Sequence, residues 1–175
     1  MVSRLGGVWL VLPSGSDIVK DLAEKLYRLL IRVANSLQSP FLLAVRLYWG
    51  WQFAQDGWGK LNNLGKVTDY FTSLGLPAPG LTATFVGGLE LVGGVLLAIG
   101  LGTRLIALLL TCNMLVAYIT GDREALLSVF SDPDKFYAAA PYTYLVASVI
   151  VLIFGPGKFS VDAWLAKKRG SAAKS

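Results

Sequence analysis

Two ionisable residues stand inside long apolar stretches of this sequence. Glu90 is the only charge in residues 78–102, a Gly-rich stretch long enough to cross a bilayer, and Arg46 lies within a second such stretch. Bringing a charge to mid-bilayer depth costs roughly 2.5–3.5 kcal/mol even on lenient insertion scales, so both are expected to face the protein interior. On the first stretch Arg46, Gly50 and Ala54 step by four residues, and on the second Glu90, Gly94, Ala98 and Gly102 do the same. Small-residue stripes let helix backbones approach closely in lipid, where association brings no hydrophobic gain. Each stripe carries its own charge, which predicts a direct Arg46–Glu90 ion pair. Such a pair either fixes helix pairing or, with Trp49 and Phe53, lines a groove in which it hydrogen-bonds a carbonyl headgroup.

A second polar set, Gln52, Gln55, Asp56 and Lys60, follows on the same stretch. It reads either as a wet helix end or as the mouth of a pocket for an amphipathic headgroup such as a quinone, with Trp49 and Trp58 as flat walls. Asn113 is a strong hydrogen-bonding group in a third apolar stretch and is expected to contact a neighbouring helix. Cys112 beside it reads as an apolar filler. Gly87-Gly88 and Gly93-Gly94 indicate close packing; no strand precedes them and no phosphate-binding Lys follows, so they are not a nucleotide loop.

Composition limits the chemistry further. The chain has no His, one Cys and two Met, of which Met1 is the first residue. Haem, iron–sulfur and copper centres need convergent His, Cys or Met ligands, so no redox centre, structural zinc or other metal is expected. A single thiol also makes no internal dithiol couple. Of the 175 residues, 54% are hydrophobic and 15% charged, and mean hydropathy is +0.57, values that fit a small membrane protein. The net charge of +5 gathers beside the apolar stretches, which points to anionic lipid headgroups as partner and not to nucleic acid.

The elements that must position these residues are helices, so the fold class is all-α. Between Ser16 and Leu37 the residues Ile18, Leu22, Leu26, Leu29, Leu30, Val33 and Leu37 recur at helical spacing, while Asp17, Lys20, Asp21, Glu24, Lys25, Arg28 and Arg32 fill the other side. That pattern predicts an amphipathic helix lying in the membrane interface, with docking on a partner subunit as the alternative. Four apolar segments follow, Pro40–Leu61, Leu81–Leu101, Arg104–Ile119 and Ala138–Phe154, which together predict a four-transmembrane-helix bundle. A short interfacial helix is expected in Asp122–Phe130. Met1–Leu12 reads as a retained tail rather than a signal peptide, and Gly170–Ser175 as disordered. The expected organisation is a tail with its amphipathic helix at 1–39, a membrane domain at 40–165 and a basic tail at 166–175. Lys and Arg gather at both ends of the chain and at Arg104, whereas Asp56, Asp69, Asp122, Glu124, Asp132 and Asp134 outnumber the bases of the other two loops. Both termini are therefore expected on the cytoplasmic side of a multi-pass protein of the inner membrane.

Several of these marks occur together in one ordered set. Arg46-Leu47 with Gly50, Phe53, Gly57, Lys60 and Leu61, then Glu90 and Gly93-Gly94, then Gly100-Leu101-Gly102-Thr103-Arg104, then Gly155-Pro156-Gly157-Lys158-Phe159-Ser160-Val161-Asp162, resemble the DoxX family of bacterial and archaeal membrane proteins. The resemblance spans about Pro40 to Leu165 and implies a four-helix membrane bundle associated with redox complexes. Relatives include a subunit of thiosulfate:quinone oxidoreductase and membrane partners of detoxifying enzymes. The chain departs from the family pattern at Asp56 and at Gly121-Asp122, where many relatives carry His. The expected function is an accessory subunit of a membrane oxidoreductase or electron-transfer complex, with other membrane or redox subunits as partners, that shelters a quinone or lipid. The alternatives are a quinone-reducing enzyme subunit and a small transporter.

Overall fold

The computed structural model describes residues 2–5, 8–11 and 15–172, with side chains described for residues 16–170. It divides into two compact units, Met1–Gln38 and Ser39–Ser175. The first contains an antiparallel hairpin of β1 (Val2–Leu5) and β2 (Val8–Val11), with Val2 opposite Val11 and Leu5 opposite Val8. Two Val-containing runs separated by Gly6-Gly7 are a tight-hairpin signal that the tail reading passed over. Met1, Gly6, Gly7 and Leu12 of that tail lie outside the described residues. Helix α1 (Gly15–Asn62) begins in this unit and runs into the second. Its residues 16–38 are all exposed, including Ile18, Leu22, Leu26 and Leu30 of the apolar stripe. The acid-first pairs form, Asp21–Lys25 at 2.7 Å and Glu24–Arg28. Pro40 lies inside α1, so the expected boundary there is not a break in the helix. One missing backbone donor is tolerated where helical residues flank it.

The second unit continues through α2 (Leu64–Ser73), α3 (Pro79–Ile99), α4 (Thr103–Thr120), α5 (Arg123–Leu127), α6 (Pro133–Ala138), α7 (Pro141–Phe154) and α8 (Val161–Ala172). The chain is all-α apart from the hairpin. Among the described residues, α3 and α4 are the helices long and apolar enough to cross a membrane, and α7 is a shorter apolar helix. Helix α8 occupies part of the expected basic tail, and residues 173–175 lie outside the described residues. Helices α2 and α6 were not expected from the sequence.

Phe53, Leu97, Ala107, Leu110, Met114 and Val151 form the core. Large apolar residues also face outward, with Leu81 at 77% and Phe85 at 68% exposure on α3, the arrangement of a helix whose outer face meets lipid. The contact of α1 with α3 depends on glycine. A Cβ on Gly50 would lie 2.7 Å from the Gly94 carbonyl, and one on Gly57 would lie 2.6 Å from the Gly87 carbonyl. Backbone therefore meets backbone along the two small-residue stripes. Gly100 and Gly102, with φ of 76° and 59°, turn the chain from α3 into α4 in a left-handed conformation that side chains other than glycine resist.

Candidate functional site

Facing residues on α1 and α3 are Gly50 with Gly94 and Ala98, and Gly57 with Gly87, Glu90 and Leu91. Their numbers add to between 144 and 148, as they must for an antiparallel pair in this register. Arg46 then lies opposite Gly100, and Glu90 lies opposite the turn of α1 around Asp56. About ten residues, or roughly 15 Å of helix, separate the two charges. The predicted Arg46–Glu90 pair does not form: the stripes do meet, but antiparallel packing puts their charges at opposite ends.

Each charge has other partners. The Arg46 side chain is fully buried and donates from Nη1 to the Pro156 carbonyl and from Nη2 to the Phe159 carbonyl, which ties α1 to the turn between α7 and α8. Just beyond it, in the first turn of α8, the Asp162 carboxylate accepts from the Gly102 and Thr103 N–H groups and from the Thr103 hydroxyl, each at 2.8 Å. Asp162 thus caps the N-terminus of α4 from a distant point in the chain. Partial burial works to raise its pKa, but the hydrogen bonds from Thr103 and Gly102, with the Arg46 charge, outweigh it and hold the carboxyl below its ordinary value.

At the other end of the stripe Glu90 is 1% exposed and forms an ion pair with Lys60 of α1. Its second oxygen accepts from Asn113 Nδ2 of α4 at 2.9 Å. One turn away on α1, Asp56 accepts a hydrogen bond from the Tyr144 hydroxyl of α7. The two clusters face a cavity of about 260 Å³ that Phe53, Tyr70, Phe71 and Met114 also line. Phe53 and Tyr144 pack edge-on, with ring centroids 4.8 Å apart. Polar heads from four helices thus meet at the edge of a mostly apolar space.

The structure redistributes the residues singled out in the sequence. Glu90, Phe53, Asp56, Lys60 and Asn113 come together at the cavity, while Gln52 and Gln55 do not line it. Asp56 and Lys60, four residues apart on α1, do not pair with each other among the described residues. Trp49 lines a separate apolar groove with Phe41, Val45, Tyr142 and Ile150, so the groove expected from Arg46, Trp49, Phe53 and Glu90 is split. Tyr144 and the α2 residues Tyr70 and Phe71 are lining residues that sequence reasoning missed. Nothing in the spacing around Tyr144 marks it as polar lining, and α2 carries too short an apolar face to stand out. Among the described residues, no three His, Cys, Asp or Glu side chains converge as a metal site.

These features define a class, a helical membrane protein with a buried polar cluster at the edge of an apolar cavity. The DoxX family model matches residues 41–123, so that part of the chain is similar to a DoxX domain. It is 28% identical over 133 residues to CatD of Bacillus subtilis (strain 168), which is provisionally named an oxidoreductase, covering 75% of this chain and 92% of that protein. It is 29% identical over 146 residues to the uncharacterized membrane protein Rv3486 of Mycobacterium tuberculosis (strain ATCC 25618 / H37Rv), covering 78% of this chain and 88% of the relative. No solved structure matches.

Proposed function

We propose that this protein is an accessory subunit of a membrane oxidoreductase or electron-transfer complex, and that its cavity shelters the headgroup of a quinone or lipid. The observation that carries the reading is the Lys60–Glu90–Asn113 cluster, set with Asp56 and Tyr144 against an aromatic and apolar lining. A neutral polar headgroup can exchange hydrogen bonds with these side chains while its apolar body stays among Phe53, Phe71 and Met114. The match to the DoxX family model and the similarity to a provisionally named oxidoreductase support the redox association. A chain without His and with one Cys gives electrons few protein ligands to travel through, so the redox centre belongs to a partner.

In this reading four helical segments, from α1, α3, α4 and α7, cross the inner membrane. Both termini are cytoplasmic, where the basic residues of α8 meet anionic headgroups. Residues 16–37 extend α1 on that side, where their apolar stripe docks on a partner subunit. Purification in mild detergent followed by mass spectrometry tests the assignment. A stoichiometric redox partner is expected, whereas turnover of a quinone by the isolated chain would replace the accessory role with an enzymatic one. Lys60→Met should weaken binding of a short-tailed quinone about tenfold, because a charge-assisted hydrogen bond from the ammonium to a quinone carbonyl is worth about 1.5–3 kcal/mol.

A further inference from the structure

The charged lining of the cavity is unbalanced. Asp56, Glu90 and Asp122 contribute carboxylates, and Lys60 contributes one ammonium. The donors are also largely committed. The Tyr144 hydroxyl donates to Asp56, one Lys60 N–H and one Asn113 N–H donate to Glu90, and the hydroxyls of Thr82 and Thr120 donate to the carbonyls of Pro77 and Val116. What remains open is mainly carboxylate lone pairs, since an ionised carboxylate offers about four acceptor positions and no donor. Further N–H bonds of Lys60 and Asn113 and the Tyr70 hydroxyl remain as donors, but they share the cavity with the excess negative charge.

We propose that the cavity discriminates between the two redox forms of a quinone and binds the reduced quinol more tightly. The inference rests on the reading above that a quinone occupies the site, and it adds which oxidation state the side chains favour. A quinone presents two carbonyl oxygens, which only accept hydrogen bonds and carry their negative dipole ends outward into a negative potential. A quinol presents two hydroxyls, each able to donate to a carboxylate in a charge-assisted bond of about twice the strength of a neutral one. The two forms share their ring substituents and tail, so the apolar lining contributes nearly equally to both and cancels from the comparison. The headgroup contacts decide the ratio.

Only a binding equilibrium is involved. Conversion of quinol to quinone releases two electrons and two protons, and an accessory subunit leaves both to its redox partner. Selective binding has a thermodynamic consequence nonetheless, because a site that stabilises the reduced form raises the potential of the bound couple. A tenfold preference for quinol corresponds to about 30 mV for a two-electron couple. The effect is that of a holding site for the product of quinone reduction.

The test uses the full chain in phosphatidylcholine nanodiscs under anaerobic conditions, with decyl-ubiquinone and its quinol as probes and protein-free nanodiscs as reference. The expected result is a Kd for quinol at least tenfold below that for quinone, and a midpoint raised by about 30 mV for the bound couple. Asp56→Asn should bring the ratio close to one. Tyr144→Phe frees Asp56 from its internal donor and should keep the ratio or widen it, which provides a second reading if the Asn variant folds poorly. Equal affinities, tighter quinone binding or a ratio unmoved in Asp56→Asn would overturn the selectivity and leave the sheltering role standing. Binding of neither form would overturn both.

Discussion

Replacing Lys60 with methionine should leave the Glu90 carboxylate, 1% exposed, with Asn113 as its one described partner. Breaking a buried pair from one side costs about 3–5 kcal/mol, because the remaining charge keeps its desolvation penalty and loses its compensation. The Lys60 side chain is 31% exposed, so water reaches this pair, and the low end of that range, about 3 kcal/mol, is the expected loss. Glu90→Gln should cost less, about 1–2 kcal/mol, since the stranded ammonium can extend its stem toward water and the amide still accepts from Asn113. The double variant removes both charges and should be no worse than Lys60→Met alone, giving a coupling energy of about 2 kcal/mol. Unfolding of the detergent-solubilised protein by titrated denaturing surfactant, followed by tryptophan fluorescence, measures all four corners of the cycle. A parallel cycle on Arg46→Leu and Glu90→Gln should show additivity within about 0.5 kcal/mol, because those side chains share no partner. Additive Lys60 and Glu90 losses, or strong coupling between Arg46 and Glu90, would refute the assignment of partners.

Other perturbations separate packing from propensity and charge. Gly57→Ala adds a methyl group within 2.6 Å of the Gly87 carbonyl and should destabilise by about 1–3 kcal/mol despite the better helix propensity of alanine, whereas Gly59→Ala, which meets nothing within 4 Å, should be neutral or mildly stabilising in the same unfolding assay. Asp162→Asn weakens the cap on α4 and should cost about 1 kcal/mol at neutral pH. The Asp162 pKa is lowered by folding, so its contribution is fully present above its unfolded value near 3.8 and is lost as pH falls through the lower folded value. Wild type and Asp162→Asn should therefore converge in stability below pH 3.8 when melting is followed by circular dichroism, and a gap that widened there would refute the sign.

The apolar helices were legible in the sequence because an uninterrupted apolar run bounded by glycine turns leaves the chain little choice: expected Leu81–Leu101 and Arg104–Ile119 correspond to α3 (Pro79–Ile99) and α4 (Thr103–Thr120). The small-residue stripes also identified which faces of α1 and α3 meet. Their register was not legible from the stripes, since a pattern that repeats every four residues looks unchanged when slipped by one turn. The connection held the missing signal. Two apolar segments that cross a bilayer in succession run antiparallel whatever the connection between them holds, here α2, so Arg46, far from the connection, must lie opposite the far end of α3, and Lys60, near it, must lie closer to Glu90. Tyr70 and Phe71 were invisible for another reason. Helix α2 gains its place by packing on α3, a tertiary effect that a ten-residue segment does not announce in its composition.

The separation of the two charges along α1 also separates their tasks, and this yields a decisive comparison. Arg46 holds the Pro156 and Phe159 carbonyls at the turn that presents Asp162 to α4, so its work is to close one end of the helical unit. None of its atoms lines the cavity that Glu90, Lys60 and Asp56 face. Arg46→Leu strands two carbonyls and should lower stability by about 2–4 kcal/mol, two lost charge-assisted bonds partly offset by removing a buried charge. In the fraction that remains folded, quinol binding should stay within threefold of wild type, a difference of less than about 0.7 kcal/mol. Glu90→Gln should give the reverse pattern, a smaller stability loss and about tenfold weaker binding. Titrating decyl-ubiquinol anaerobically against each variant, with the folded fraction fixed by size-exclusion chromatography, reads both quantities on one sample. Equal loss of affinity in the two variants would mean that Arg46 and Glu90 serve a single site after all, and the division of labour drawn from the α1–α3 register would fall with it.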